Sequence, residues 1–204
     1  MIAIINYGSG NIRAIGNIYD RQRIPYTVVD KPEDLLVADK IILPGVGAFD
    51  ETMGMLNKSG FKELLTEFVI DKKVPVLGIC VGMQILGEGS EEGNLPGLGW
   101  ISGFVKKFDK RLLEDKPKLP HLGWNSVEIR KQSTVLEGID EGVGFYFIHS
   151  YYFQCKREED ILTTTTYGVN FSSAINSEKI FGVQFHPEKS HNNGMTLLKN
   201  FASL

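Results

Sequence analysis

The chain has 204 residues, of which 42% are hydrophobic and 23% charged, with a formal net charge of −3. That length is enough for one domain with a full apolar core and no disulfide or metal staple, and the composition is that of a globular protein. A slightly acidic chain lacks the basic footprint of a nucleic-acid binder. Lys106, Lys107, Lys110, Arg111, Lys116 and Lys118 do cluster, but acidic residues interrupt them and a solvated loop is expected there.

The first residues, Ile2 to Ile5, are a short apolar run that breaks at Asn6-Tyr7-Gly8-Ser9-Gly10-Asn11, which predicts a strand and then a Gly-rich turn. With no cationic start and no long apolar region, no secretory signal is expected. No run approaches the ~20 residues of a membrane span. From Asn11 to about Gln22 the apolar residues Ile12, Ile15, Ile18 and Tyr19 recur at helical spacing. Tyr26 to Val29 and Lys40 to Leu43 are further strands, the latter closing on Pro44-Gly45-Val46-Gly47. Asp50 to Asn57 and Phe61 to Ile70 read as two helices split near Ser59-Gly60. This alternation predicts an α/β fold, a parallel sheet with helices on both faces.

Next comes Val74 to Gln84, an apolar strand ending in Gly78-Ile79-Cys80-Val81-Gly82. Gly-x-Cys-x-Gly has the layout of a nucleophile elbow, a sharp strand-to-helix turn that lifts a reactive side chain above the sheet edge. A helix from near Met83 to about Leu86 would aim its N–H groups and dipole at the sulfur. The same cysteine is also readable as a small core hydrophobe, so the chemistry needs a partner. The other cysteine, Cys155, stands in a different context, and two unrelated cysteines suit a reducing cytosol better than a disulfide scaffold.

After a loop from Gly87 to Gly99, strand-like runs appear at Phe104 to Phe108, Trp124 to Ile129, Gly144 to Phe147, Ile161 to Thr166, Phe171 to Ile175 and Ile180 to Phe185. These predict antiparallel strands extending the parallel sheet, with a last helix from Gly194 to Phe201. No linker or repeat interrupts residues 1–204, so a single domain is expected.

His186 ends the strand Gly182-Val183-Gln184-Phe185. In a parallel arrangement that end lies beside the end of the Cys80 strand, where open α/β sheets build their sites. Glu188 is two residues on, and in an extended segment it would share a side with His186 and orient its imidazole. An oxyanion hole would draw on the Val81 N–H and on Pro44-Gly45-Val46-Gly47, a run equally compatible with a plain strand-to-helix turn. Gly8-x-Gly10 with Asp30 echoes a dinucleotide fingerprint, but Arg13 stands where its third glycine belongs. His186-x-Glu188 lacks the Pro-Cys-x-x-Cys of a zinc deaminase. No cofactor and no metal are expected.

Together these motifs resemble the class I glutamine amidotransferases, with their Cys, His, Glu triad, over essentially the whole chain. Pro120-His121-Leu122-Gly123-Trp124-Asn125 and Tyr146-Phe147-Ile148-His149-Ser150-Tyr151 narrow the likeness to the glutaminase subunits of imidazole glycerol phosphate synthases. The resemblance implies a flavodoxin-like, mostly parallel sheet with added antiparallel strands in the C-terminal half. It implies catalysis by Cys80, His186 and Glu188. Oxyanion donors would come from Val81 and the Gly45, Val46, Gly47 loop, which must rearrange to complete the hole. Glutamine contacts fall on Gln84, Glu92, His149, Ser150 and Tyr151.

The resemblance further implies a heterodimer in the cytoplasm, in which ammonia passes to a (β/α)8 cyclase subunit that makes imidazole glycerol phosphate and an aminoimidazole carboxamide ribonucleotide in histidine biosynthesis. Trp124, Asn125, Tyr146 and Lys189 would lie at that interface, although Trp124 is equally readable as core. The chain departs from the common pattern at Val81, where a bulkier residue such as Leu is usual, and at His191-Asn192-Asn193. Close relatives of such subunits are thought to feed ammonia to the amidation of surface sugars. A stand-alone cysteine hydrolase, or a binding subunit with an idle triad, are the readings from other classes.

Overall fold

The computed structural model describes residues 1–113 and 119–204, so Lys116 and Lys118 lie outside the described residues. Its first half alternates as expected: β1 (Ile2–Ile5), α1 (Ile12–Gln22), β2 (Tyr26–Val29), β3 (Lys40–Gly45), α2 (Phe49–Ser59), α3 (Phe61–Thr66), β4 (Val76–Cys80) and α4 (Val81–Gln84). Gly60, at φ 77°, adopts the left-handed geometry that ends α2 and starts α3. A π-helical turn, Glu67–Asp71, continues α3. The second half is β5 (Gly103–Lys107), β6 (His121–Asn125), β7 (Glu128–Ile129), β8 (Phe145–His149), β9 (Tyr151–Cys155), β10 (Ile161–Tyr167), β11 (Val169–Ser177), β12 (Ile180–Val183) and α5 (His191–Ala202).

The main sheet runs β2-β1-β3-β4-β12-β11-β10-β7. Its first five strands are parallel and the rest antiparallel, with β9 joined to β11 and β5 to β9. The chain steps one way from β1 to β2 and the other way from β3 to β4. Right-handed crossovers therefore put α1 and the α2–α3 pair on opposite faces. Tyr19 donates to the Leu198 carbonyl across 3.3 Å, which ties α5 to α1. The reversal of strand order lies between β1 and β3, so the carboxyl ends of β1, β3, β4 and β12 open onto a topological switch point.

The strands β1, β3 and β4 are buried almost throughout, as parallel strands covered on both faces must be. The ribbon β6–β8 is a separate two-stranded sheet. It docks through Phe145, which stacks on Phe185 just past β12 at a centroid distance of 3.7 Å. Such a pair adds about 0.5–1.5 kcal/mol beyond its burial. The backbone N–H of His186 donates to Tyr146 O at 2.9 Å, so the ribbon and the end of β12 are fixed to one another.

The expected solvated loop of cationic residues is corrected at Lys106 and Lys107. Both lie on β5, with Lys106 paired to Glu91 at 2.9 Å. The run expected over Trp124 to Ile129 is two strands, β6 and β7.

Candidate active site

Cys80 is the last residue of β4 and adopts φ 56°, ψ −113°. A non-glycine residue there stores about 1–3 kcal/mol. The strain is sustained because glycines let the next turn sit directly on the sheet: a β-carbon on Gly82 would overlap the Leu43 carbonyl oxygen, and one on Gly45 would overlap the Gly82 nitrogen. The helix α4 starts at Val81 rather than Met83 and is four residues long. A single turn sums few peptide dipoles, so the expected dipole effect on the sulfur gives way to individual neighbouring groups.

His186 is 3% exposed and follows β12, whose Gly182 pairs with Gly78 of β4. Its Nδ1 lies 2.7 Å from Glu188 Oε1, and Cys80 is near enough to act on the ring electrostatically. Burial alone would push the imidazole toward the neutral form, but Cys80 and Glu188 outweigh it and raise His186 to about 10. Burial likewise opposes the charged form of Glu188, and the donors His186 and Asn11 prevail, holding its carboxyl below the usual value. Glu188 reaches the ring differently from the expectation. It does not continue an extended segment but sits in a 3₁₀ turn, Pro187–Lys189, which Pro187 starts and which folds the carboxylate back.

These groups open into a cavity of about 400 Å³ lined by Cys80, Val81, His186, Val46, Gly47, Gln84, Glu92, His149, Ser150, Tyr151 and Lys189, together with Asn11, Pro120 and Ile148. Gly45 and Glu188 stand behind its wall, and Trp124, Asn125 and Tyr146 are also outside it. The Val46 N–H donates to Ser9 Oγ at 2.9 Å, so in this arrangement it is turned away from an oxyanion. Glu92 Oε2 accepts the Phe49 N–H at 2.9 Å and caps α2. Gln84 is 3% exposed, and its Nε2 donates to Tyr151 O at 3.2 Å and to Gln184 Oε1 at 3.0 Å.

His149, in the cavity wall, forms a buried pair with His121. Nδ1 of His149 faces Tyr151 O at 2.7 Å, and its Nε2 faces His121 Nδ1 at 2.9 Å. Burial pushes His121 down to about 4; burial, then the neighbouring His121, push His149 down to about 3. Both rings are therefore neutral near pH 7. A carbonyl only accepts, so His149 carries its proton on Nδ1, His121 donates from Nδ1, and His121 Nε2 accepts from Asn125 Nδ2 at 3.2 Å.

The residues expected at a partner interface divide. Trp124 is 44% exposed, which rules out the core reading, and it stacks on His191. Lys189 Nζ lies 5.6 Å from the Tyr146 ring. Asn125 instead turns inward, to His121 and to Thr166 O at 3.0 Å. Cross-strand pairs Trp124–Tyr146 and Leu122–Ile148 place their side chains on one face of the ribbon, with Leu122 60% exposed beside the cavity mouth.

Sequence reasoning singled out neither Asn11, whose Nδ2 lies 2.8 Å from Glu188 Oε1, nor Ser9 or Gln184. The Asn11–Glu188 contact spans 177 positions, and no local pattern announces it. Among the described residues no group of three or more His, Cys, Asp or Glu is arranged to hold a metal ion, and no helix is long and apolar enough to cross a membrane.

Residues 3–203 match the family model described as glutamine amidotransferase class-I. The chain is 46% identical over its full length, and the full length of the relative, to a protein of Leptospira borgpetersenii named imidazole glycerol phosphate synthase subunit HisH. It is 49% identical, again over both full lengths, to the protein of that name in Bdellovibrio bacteriovorus. Against one of Pseudomonas aeruginosa named subunit HisH 2, identity is 48% over both full lengths. A crystal structure described as a glutamine amidotransferase superposes with a TM-score of 0.72 at 17% identity, covering all of both chains, a likeness of fold. The chain belongs to the class-I glutamine amidotransferase family.

Proposed function

We propose that the protein is the glutaminase subunit of an imidazole glycerol phosphate synthase, hydrolysing glutamine and passing the ammonia to a (β/α)8 cyclase subunit in histidine biosynthesis. The observation that carries this reading is the strained Cys80 lining one cavity together with a His186 whose ring Glu188 holds. Protonated His186 supplies the counter-charge a thiolate needs. The thiolate attacks the glutamine side-chain carbonyl, and His186 gives its proton to the departing nitrogen, which leaves as ammonia. His186 then takes a proton from water, and hydroxide attack on the thioester expels the thiolate, releases glutamate and its acid proton, and restores the thiolate–imidazolium pair. Glu188 keeps the ring oriented throughout.

The Val81 N–H is one oxyanion donor. The second is the Val46 N–H, available once it leaves Ser9 Oγ, so the complete hole depends on a turn of the Gly45–Gly47 loop. One such donor is worth about 10²–10³ in turnover. Glutamine would lie against Gln84, Glu92, His149, Ser150 and Tyr151. The ribbon face carrying Leu122, Trp124, Tyr146 and Ile148, with Lys189 beside it, is the surface for the cyclase; Asn125 serves from inside. The whole chain acts as one domain, in the cytosol, where its two free cysteines stay reduced.

The test uses Cys80→Ala with the partner purified from the native host. Glutamine-dependent synthesis should vanish while the same complex still works with added ammonia. Glutamate release at the wild-type rate by that variant would refute the assignment. The substrate the purified partner consumes, a histidine-pathway ribonucleotide or a sugar, decides the acceptor.

A further inference from the structure

We propose that Gln184 is a catalytic residue, a hydrogen-bond donor to the Cys80 sulfur that holds it as thiolate. This rests on the reading of Cys80 as the nucleophile. Gln184 lies immediately past β12, in register with the end of β4, and is fully buried. Its Nε2 is 3.8 Å from Cys80 Sγ, an N–H···S distance.

A buried amide beside a sulfur is informative only if its direction is known, because oxygen and nitrogen are interchangeable in shape. Here the surroundings set it. Tyr151 O and Gln184 Oε1 both receive protons from Gln84 Nε2. Tyr151 O also receives the His149 Nδ1 proton, His149 receives that of His121, and His121 receives that of Asn125, whose amide is fixed in turn by Thr166 O. The histidine relay and Gln84 thus converge on Tyr151 O, which only accepts; this fixes Gln84 Nε2 as the donor, so Gln184 turns its Oε1 to Gln84 and its Nε2 to the sulfur. Reversing Gln184 would set its carbonyl oxygen against the thiolate and its NH₂ against the NH₂ of Gln84.

The chemical consequence follows from the charge on sulfur. A donor to an ionised acceptor forms a stronger bond than one to a neutral group, so Gln184 favours thiolate over thiol and does so without sharing the proton that His186 must deliver. Its Oε1 at the same time accepts from Gln84 of the glutamine-binding wall, so the donor and the acceptor end of the amide have separable effects. Loss of the donor should therefore appear in kcat and in sulfur reactivity, and an effect on KM should appear only where the acceptor for Gln84 is lost as well.

The experiment compares the full-length protein with Gln184→Met, which keeps the length and removes the donor, and Gln184→Glu, which keeps the shape and reverses the polarity. Cys80 alkylation by iodoacetamide at pH 7 should slow about tenfold in Gln184→Met, the size of one hydrogen bond to a charged acceptor, and further in Gln184→Glu. With the partner bound, kcat for glutamine should fall in both variants, with KM little changed in Gln184→Glu, which keeps the acceptor for Gln84. Labelling of Gln184→Met at the wild-type rate, with kcat unchanged, overturns the proposal. A wild-type protein whose Cys80 is not alkylated at all, or whose alkylation leaves turnover intact, instead overturns the nucleophile assignment. Should the variants fail to fold, judged by near-ultraviolet circular dichroism, the side-chain amide protons of Gln184 in the wild type provide the readout. They should resonate downfield and return upfield in Cys80→Ala; equal shifts in the two proteins overturn the proposal.

Discussion

Asn11 is the residue whose contribution is least visible from its surroundings in sequence. Its Nδ2 shares Glu188 Oε1 with the His186 ring, so the carboxylate is fixed from two sides. Asn11→Leu should lower kcat about tenfold, the size of one hydrogen bond to a charged group. It should also move the acid limb of the pH–rate profile upward, because Glu188 loses a donor to its charged form. Steady-state kinetics across pH 5–9 with the bound partner would show both, and an unmoved acid limb would speak against the role. Cys80, His186 and Glu188 were legible because each carries its own local marker: flanking glycines, the end of an apolar strand, a proline between acid and base. Asn11, Ser9, Gln184 and the His121–His149 pair were not. Their roles exist only where segments distant in sequence meet, and an asparagine before a helix or a glutamine in a strand looks the same when it does nothing.

Among the elements, the elbow depends on how closely α4 lies on β3. Gly82→Ala places a β-carbon into the Leu43 carbonyl oxygen, and neither backbone can yield without breaking the sheet or the turn. A loss of about 2–4 kcal/mol is expected, in the upper range of single substitutions, seen as a lowered urea midpoint at pH 7 together with loss of glutaminase activity. The parallel half of the sheet was readable from apolar runs bounded by Gly, Pro and Asn. β9 was missed because Ser150 alone separates it from β8, leaving no turn signal in Tyr146 to Cys155. α5 starts at His191, three residues before the expected Gly194, since weak helix formers obscure its first turn. There Asn193 is occupied by tertiary bonds to Asp140 and Gly144.

For the molecule as a whole, opposite titrations meet near neutrality. His186 is raised from 6.5 to about 10, so its contribution to stability is complete below about pH 6.5 and is lost as pH rises toward 10. His121 and His149 are lowered to about 4 and about 3. Below pH 6.5 the unfolded chain takes up protons that the native pair refuses, so stability falls as pH drops. Glu188, held below its usual 4.5, adds to that loss at still lower pH. Each fully separated group contributes a slope of about 1.4 kcal/mol per pH unit. Urea unfolding from pH 4 to 10 should show a maximum near pH 6.5 with decline on both sides. A profile flat from pH 5 to 6.5 would count against the neutral histidine pair. The parallel sheet and the location of the site were inferable at this scale because strand ends in an α/β fold converge by topology. The buried pair was not, because no composition reveals which histidines lose their water.

The backbone at Cys80 carries a further consequence, one for descent rather than for turnover. Its φ of 56° and ψ of −113° lie where glycine rests freely and a cysteine does not. In a lineage released from the need for ammonia, replacement of this residue by glycine would relax the turn and strengthen the fold. The reverse change would have to climb that slope before any activity returned. Decay of this site is thus thermodynamically downhill, and selection for catalysis is what keeps sulfur at the corner.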